Sequence, residues 1–226
     1  MRIELHKVTL HYPDKPPLLD DLDFVLEEGD FALVRGDSGS GKSSLLRLCN
    51  RLQEPTAGQI RIDGKAAAEL EVTQLRRRLA YVQQTPVMAP GSVQANLLYP
   101  FSFKAQRGQS APAPDALRPM LDRFRLGDVD LKDEAGKLSV GQQQRLALVR
   151  ALLTEPEVLL CDEPTSALDP HSREIVEDAL EQANSERGIG VIMVSHLDFS
   201  PVRTQVKVYL LSAGRLQAQP DAAPPP

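Results

Sequence analysis

The amino-acid sequence predicts an α/β fold: a mostly parallel sheet with helices on both faces, a β-rich start and an inserted α-helical lobe. Three observations carry this. Short apolar runs at Phe31-Ala32-Leu33-Val34, Val158-Leu159-Leu160-Cys161 and Gly190 to Val194 read as strands buried on both faces. These runs alternate with helical patterns near 141–153 and 170–187, the order that parallel strands require. Between the first run and an amphipathic helix lies a glycine-rich turn at 36–43.

Residues 1–35 read as several short strands, with a loop at Pro13 to Pro17 and a turn at Glu27-Glu28-Gly29-Asp30. From Lys42, the spacing of Leu45, Leu46, Leu48, Cys49 and Leu52 places apolar groups on one helical face, and Pro55-Thr56-Ala57-Gly58 ends the element. Residues 86–137 change character. Helical patterns near 93–104 and 115–126 flank the polar stretch Gln106 to Pro114, which predicts a helical lobe inserted at about 86–140 in a single domain spanning 1–216. The segment 217–226 is rich in Pro, Ala and Gln and predicts a disordered tail. No internal repeat is present, so the chain reads as one unit and a second copy of that unit would come from another chain.

With 226 residues, 42% hydrophobic and 25% charged, the chain can bury a sizeable interior. Its net charge of -5 argues against nucleic acid or an anionic lipid surface as the main partner. The run Arg76-Arg77-Arg78 is too short to reverse that and reads as a solvated helix face. Cys49 and Cys161 fall among residues expected to be buried and read as reduced core thiols. No apolar run approaches the ~18 residues of a membrane span, and no leader segment is seen, so the chain is expected to be neither exported nor membrane-spanning.

Gly36-Asp37-Ser38-Gly39-Ser40-Gly41-Lys42-Ser43 fits G-x-x-x-x-G-K-[ST] in the strand-to-helix context that motif requires. Glycines let the backbone turn so that successive N–H groups converge on phosphate oxygens, aided by the positive end of the following helix. The expected phosphate-binding set is Gly36, Asp37, Ser38, Gly39, Ser40, Gly41, Lys42, Ser43 and Ser44. Lys42 is expected on the β and γ phosphates of ATP, and the Ser43 hydroxyl on Mg²⁺. Downstream, the strand at Val158 to Cys161 delivers Asp162 and Glu163, two acids where packing gives no reason for charge. Asp162 is expected in the Mg²⁺ shell and Glu163 on the attacking water.

Leu138-Ser139-Val140-Gly141-Gln142-Gln143-Gln144-Arg145 resembles the signature sequence of ABC ATPases, and the resemblance runs from Tyr12 to His196. It implies a RecA-like phosphate-loop core with an N-terminal antiparallel β subdomain, and a homodimer closing over two ATP. Ser139, Gly141 and Gln142 would then meet the γ-phosphate held by the other copy. Val140 departs from the family's usual glycine, which would matter if the position needed a positive φ. Gln84, with Gln83 the weaker choice, resembles the glutamine that touches Mg²⁺ and water and couples the site to a membrane partner. His196 resembles the histidine at the γ-phosphate, Ser166-Ala167-Leu168-Asp169 the segment joining the two sites, and Tyr12 the aromatic ring stacked on adenine. Phe31 and Tyr81 read as core. The family's usual partner is a polytopic membrane permease, with the ATPase cytoplasmic and peripheral on the inner membrane face. Gly91 to Leu97 with Tyr99-Pro100-Phe101 looks most like bacterial ATPases of the metal (iron) export type. Importer ATPases for phosphate or amino acids, and soluble ATPases of iron–sulfur assembly, share most of the motifs.

Overall fold

A computed structural model describes residues 1–103 and 110–222. Two sheets form. The first is antiparallel and gathers β1 (Ile3–Leu10), β2 (Leu19–Leu26), β4 (Ala57–Ile62) and β5 (Lys65–Ala66) in the order β2-β1-β4-β5. The second gathers β3 (Phe31–Arg35), β6 (Leu79–Val82), β7 (Val158–Asp162), β8 (Gly190–Val194), β9 (Val206–Ser212) and β10 (Arg215–Ala218) in the order β10-β9-β3-β8-β7-β6. All its pairings are parallel except the β9-β10 hairpin. The structure thus has the mixed α/β fold the sequence predicts.

Among the described residues six α-helices cover these sheets: α1 (Lys42–Cys49), α2 (Val72–Arg78), α3 (Val93–Leu98), α4 (Pro114–Arg123), α5 (Val140–Leu152) and α6 (Pro170–Arg187). The alternation within the parallel strands divides the interior in two. Phe31, Leu33, Leu159, Cys161, Val191 and Met193 join residues of α3 to α6, whereas Ala32, Val34, Leu160, Ile192 and Val194 join α1 and the antiparallel sheet. Each central strand is therefore apolar along its length up to its carboxyl end, where β3 and β7 close on Arg35 and Asp162, because each face meets a different apolar layer. Cys49 and Cys161 are both fully buried, and burial pushes the Cys49 thiol up to about 12.

Several boundaries differ from the expected ones. Helix α1 stops at Cys49, Arg51 turns into the left-handed region at φ 55, and the amides of Leu52 and Gln53 both reach back to the Arg47 carbonyl. Leu52 is thereby lifted off the apolar face and left 49% exposed. The pattern at 93–104 ends as α-helix at Leu98, followed by a 3₁₀ turn Tyr99–Ser102, because Pro100 supplies no amide to continue the ladder. Of the polar stretch at 106–114, residues 106–109 lie outside the described residues. The tail expected from Gln217 is ordered over its first part: Gln217 and Ala218 lie in β10, and Ala222 exchanges two backbone hydrogen bonds with Val206. Strand pairing uses main-chain groups and needs no apolar side chain, so composition hid it. Residues 223–226 lie outside the described residues.

Nor is the arginine run a simple solvated face. Arg76 donates to the carbonyls of Asn50 and Arg51, and Arg78 holds Glu157 at 2.6 Å and Asp63 at 2.5 Å. Arg78 stands at the end of α2, Glu157 just before β7 and Asp63 in the β4-β5 turn, so one guanidinium ties the two sheets together. Hydrogen bonds and charge from Arg78 hold the Glu157 carboxyl below its usual range, and the amide of Arg2 with Arg78 does the same for Asp63 against the opposing effect of burial. Carboxyls depressed in the folded state add stability above their unfolded pKa, and that stability is lost as pH falls through the folded value. Because all three side chains are partly exposed, Arg78→Ala is expected to cost about 1 kcal/mol at neutral pH. Urea unfolding at stepwise lower pH should show the parent-to-variant gap shrinking below about pH 4, where unfolded carboxyls begin to protonate.

Candidate nucleotide and metal site

The register of the parallel strands assembles the site. Val34 of β3 and Asp162 of β7 both lie opposite Val194 of β8, so three strands end at one level. From that level the chain departs into Gly36, Glu163 and His196 respectively. The amide of Glu163 donates to the Val194 carbonyl and the amide of Ser195 to the Val34 carbonyl, which fixes the departures relative to one another.

The turn after β3 must be glycine where it passes β9: a Cβ on Gly36 would stand 2.3 Å from the Leu211 carbonyl oxygen. Gly41 closes the turn at φ 104 and no side chain caps α1, which leaves the first amides of the helix without a side-chain acceptor. A concavity of about 270 Å³ opens there, lined by Ser38, Gly39, Gly41, Lys42, Ser43, Ser44, Gln84 and Glu163 among others. Converging amides at a helix start, a buried cation and an open floor are the requirements of a phosphate cradle. The Asp37 side chain points to solvent, while its carbonyl faces inward to the lysine; the Ser40 hydroxyl is buried without a hydrogen-bond partner, against Gly36.

Lys42 is only 5% exposed, and its Nζ donates to the carbonyls of Gly36 at 2.8 Å and Asp37 at 2.9 Å. Its neighbour Ser43 donates through Oγ to Asp162 Oδ1 at 2.8 Å, a contact between residues far apart in sequence. Glu163 takes a left-handed backbone at φ 45, which only a well-determined surrounding sustains for a non-glycine residue. That twist carries its side chain off the strand direction to a common centre: Gln84 Nε2 donates to Glu163 Oε2 at 2.9 Å, His196 Nδ1 stands 3.3 Å from the same oxygen, and Lys42 Nζ lies 3.9 Å from Oε1. Gln83 instead lends its backbone carbonyl to Gln144, so of the two glutamines it is Gln84 that joins the cluster.

Among the described residues no group of three or more His, Cys, Asp or Glu could hold a metal. A pair of hard oxygens, Ser43 Oγ and Asp162 Oδ1, is nevertheless a fit for Mg²⁺, which keeps several waters and takes substrate phosphates as further ligands.

One residue of the site was not legible in the sequence. Tyr81, expected in the core, is half-buried and donates its hydroxyl to Asp162 Oδ2 at 2.5 Å. Burial, then the carboxylate, pushes the phenol well above its ordinary range. Phe31 is core as expected, stacked on Phe199.

Other predicted residues lie apart from this cluster. Ser139 caps α5 and forms a reciprocal capping box with Gln142, each side chain accepting from the other's amide. Gly141 packs against Ser172 of α6, where a Cβ would come within 3.2 Å of its hydroxyl. Val140 is the first residue of α5, takes ordinary negative-φ helical backbone and is 54% exposed, so the feared positive φ does not arise. Asp169 caps α6 through the Ser172 amide, and hydrogen bonds from Ser172 hold its carboxyl below the usual range. Among the described residues, no hydrogen bond joins Ser139, Gly141, Gln142 or Asp169 to the 36–44 turn. Tyr12 is 42% exposed beyond β1, and its hydroxyl accepts from Gln53, outside the concavity.

Residues 19–166 match the protein family described as ABC transporter. The chain belongs to that family. It is 38% identical over 198 residues to ABC transporter I family member 17 of Arabidopsis thaliana, covering 86% of this chain and 73% of that one. It is 35% identical over 233 residues to the ABC multidrug transporter atrC of Emericella nidulans, of which it spans only 18%. Among solved structures, an ATP-binding cassette captured as a dimer in a post-hydrolysis state with ADP and phosphate superposes with a TM-score of 0.78 at 28% identity, covering 97% of both chains. A bacterial ABC exporter with ATP bound gives a TM-score of 0.81 at 25% identity, covering 98% of this chain and 39% of that one. This ABC domain is accordingly an ATP-binding, ATP-hydrolysing unit, with the fold of the family.

Gly36→Ala tests the cradle directly. The added carbon meets main chain rather than a flexible side chain, so the variant is expected to lose about 2 kcal/mol of stability. Thermal melts with and without ATP should show a lowered midpoint and a smaller upward shift on adding nucleotide.

Proposed function

We propose that this ABC domain hydrolyses ATP between two copies of itself to drive a membrane permease that is a separate protein. The observation that carries the reading is the convergence of Glu163, Gln84, His196 and Lys42 beside the Ser43–Asp162 pair at the carboxyl ends of β3, β7 and β8. Glu163 orients the attacking water and accepts its proton, Gln84 and His196 hold the carboxylate and the water, and Lys42 swings from its two carbonyls to the phosphate oxygens. Ser43 and Asp162 would hold Mg²⁺, which neutralises developing charge on the phosphates when bound. Ser139, Gly141 and Gln142 at the exposed start of α5 serve the site of the second copy, Asp169 helps join the two sites, and Tyr12 stacks on adenine. The dimeric relative bound to ADP and phosphate supports the two-copy arrangement.

Docking to a membrane protein is supported by a groove of about 760 Å³ between α2, the outer edge of β6 and α5. Val82, Pro86, Val87 and Phe103 give it an apolar floor, with Arg76, Arg77 and Arg150 around it, and Val87 and Phe103 are 59% and 52% exposed. A cytoplasmic segment of the permease would cover this surface. Among the described residues no helix is long and apolar enough to cross a membrane; in the proposed reading the spanning part is the partner's and the domain docks on its inner face. Export is the direction supported by relatives that include a bacterial exporter, the multidrug transporter of Emericella nidulans and the mouse antigen peptide transporter 2. For cargo, the stretch 91–101 supports metal, with iron as the first ion to test.

Glu163→Gln is expected to lower ATP hydrolysis at least ~100-fold, the scale of a lost general base, while ATP still binds and holds a dimer visible by size-exclusion chromatography with Mg²⁺. A variant that stays monomeric at saturating ATP and Mg²⁺ overturns the two-copy reading. Pull-down in mild detergent should recover a polytopic membrane protein; recovery of soluble proteins alone would replace transport with the assembly reading.

A further inference from the structure

Asp162 is only 5% exposed, and each of its carboxylate oxygens receives one hydroxyl: Ser43 donates to Oδ1 at 2.8 Å and Tyr81 to Oδ2 at 2.5 Å. At such burial these two hydroxyls are the side-chain donors that set the rotation of the carboxylate. They are not equivalent. Ser43 sits at the start of α1, at the rim of the concavity. Tyr81 sits within β6, opposite Leu160 of β7, with its ring packed against the apolar cluster that includes Leu79 and Leu160. Its hydroxyl is thus held by strand pairing on one side and by packing on the other.

A cation placed between Ser43 Oγ and Asp162 Oδ1 takes a lone pair from each. The Ser43 proton must then rotate away from Oδ1, and the donation at 2.8 Å is given up. Among the described residues, the Tyr81 donation is then the side-chain hydrogen bond that Asp162 retains. We propose that Tyr81 is a positioning residue of the metal site, fixing Oδ2 of Asp162 so that Oδ1 stays aimed at the cation in the loaded state. This rests on the reading of Ser43 and Asp162 as the magnesium ligands. Partners that orient a metal-binding carboxylate are commonly worth 10- to 100-fold in metal affinity or activity.

The experiment uses the full chain with Mn²⁺ as a paramagnetic probe, titrated in saturating ADP and read by electron paramagnetic resonance. ATP affinity is measured separately in excess chelator, and thermal melting reports the fold. Tyr81→Phe keeps the ring and removes one oxygen. The expected result is Mn²⁺ affinity lowered about tenfold, with metal-free ATP affinity unchanged and the melting midpoint lowered by only a few degrees, the cost of one lost buried hydrogen bond. Mn²⁺ affinity equal to the parent, or an equal loss of metal-free ATP affinity, overturns the proposal. Asp162→Asn separates the two readings: if it lowers Mn²⁺ affinity while Tyr81→Phe does not, only the role of Tyr81 falls. If Asp162→Asn leaves Mn²⁺ affinity unchanged, the metal-site reading falls and the role of Tyr81 with it.

Discussion

The alignment of three parallel strand ends is the constraint on which the site depends. Because Val34, Asp162 and Val194 share one level across β3, β7 and β8, residues distant in sequence leave the sheet side by side. That register is held by burial on both faces. Slipping any one strand by a single residue would turn its apolar set from the helical layer to the α1 layer and back, mismatching both interiors at once. Placement of the groups gathered at the site is therefore a by-product of packing, and it does not depend on contacts among the groups themselves. Ligands of open α/β sheets bind at such carboxyl ends for the same reason.

The groups gathered there are held at a local cost that the sheet sustains. A buried ammonium without partners would be strongly unfavourable, and Lys42 avoids this by donating to two carbonyls of its own turn and facing Glu163. Glu163 occupies a left-handed backbone that a strand end would not adopt unaided, yet its amide is fixed to Val194 and its carbonyl accepts from Ser166. The strain aims the carboxylate toward Gln84 and His196 instead of along β7. Asp162, one residue earlier, keeps regular strand geometry and so points to Ser43 and Tyr81. Two adjacent acids thus face two different tasks because of a single backbone rotation.

The architecture was legible where one physical rule acted alone. Continuous apolar runs at 31–34, 158–161 and 190–194 could only be strands buried on both faces, and the structure has all three. The glycine turn was legible because close approach to Leu211 forbids a side chain at Gly36. Tyr81 was not, since a tyrosine beside Leu79 and Val82 reads as packing, and only the tertiary fold shows its hydroxyl reaching a carboxylate. Leu52 followed the helical period but lies past the turn at Arg51, where the period no longer applies. The choice between Gln83 and Gln84 needed the strand's end direction. At Ser139 and Gln142 the motif was visible, whereas its local use as a capping box follows from the same S-x-x-Q spacing read as a helix start.

Strand β6 links the two surfaces that the proposed activity requires. Among the described residues it is an edge strand paired to β7 alone, and its outer side borders the groove, where Ala80, Tyr81, Val82 and Gln83 all take part. Its carboxyl end leads within two residues to Gln84 on Glu163, and its tyrosine reaches Asp162. Under the proposed docking, a segment seated in the groove would press on the strand that carries both contacts, and Tyr81, which lines the groove, itself reaches Asp162. The pairing of β6 to β7 in register from Leu79 to Val82 keeps that strand from yielding along its length. Under the proposed docking, displacement at the groove would be passed on beyond Val82, where Gln84 stands, and less to the Tyr81 contact held within the paired stretch.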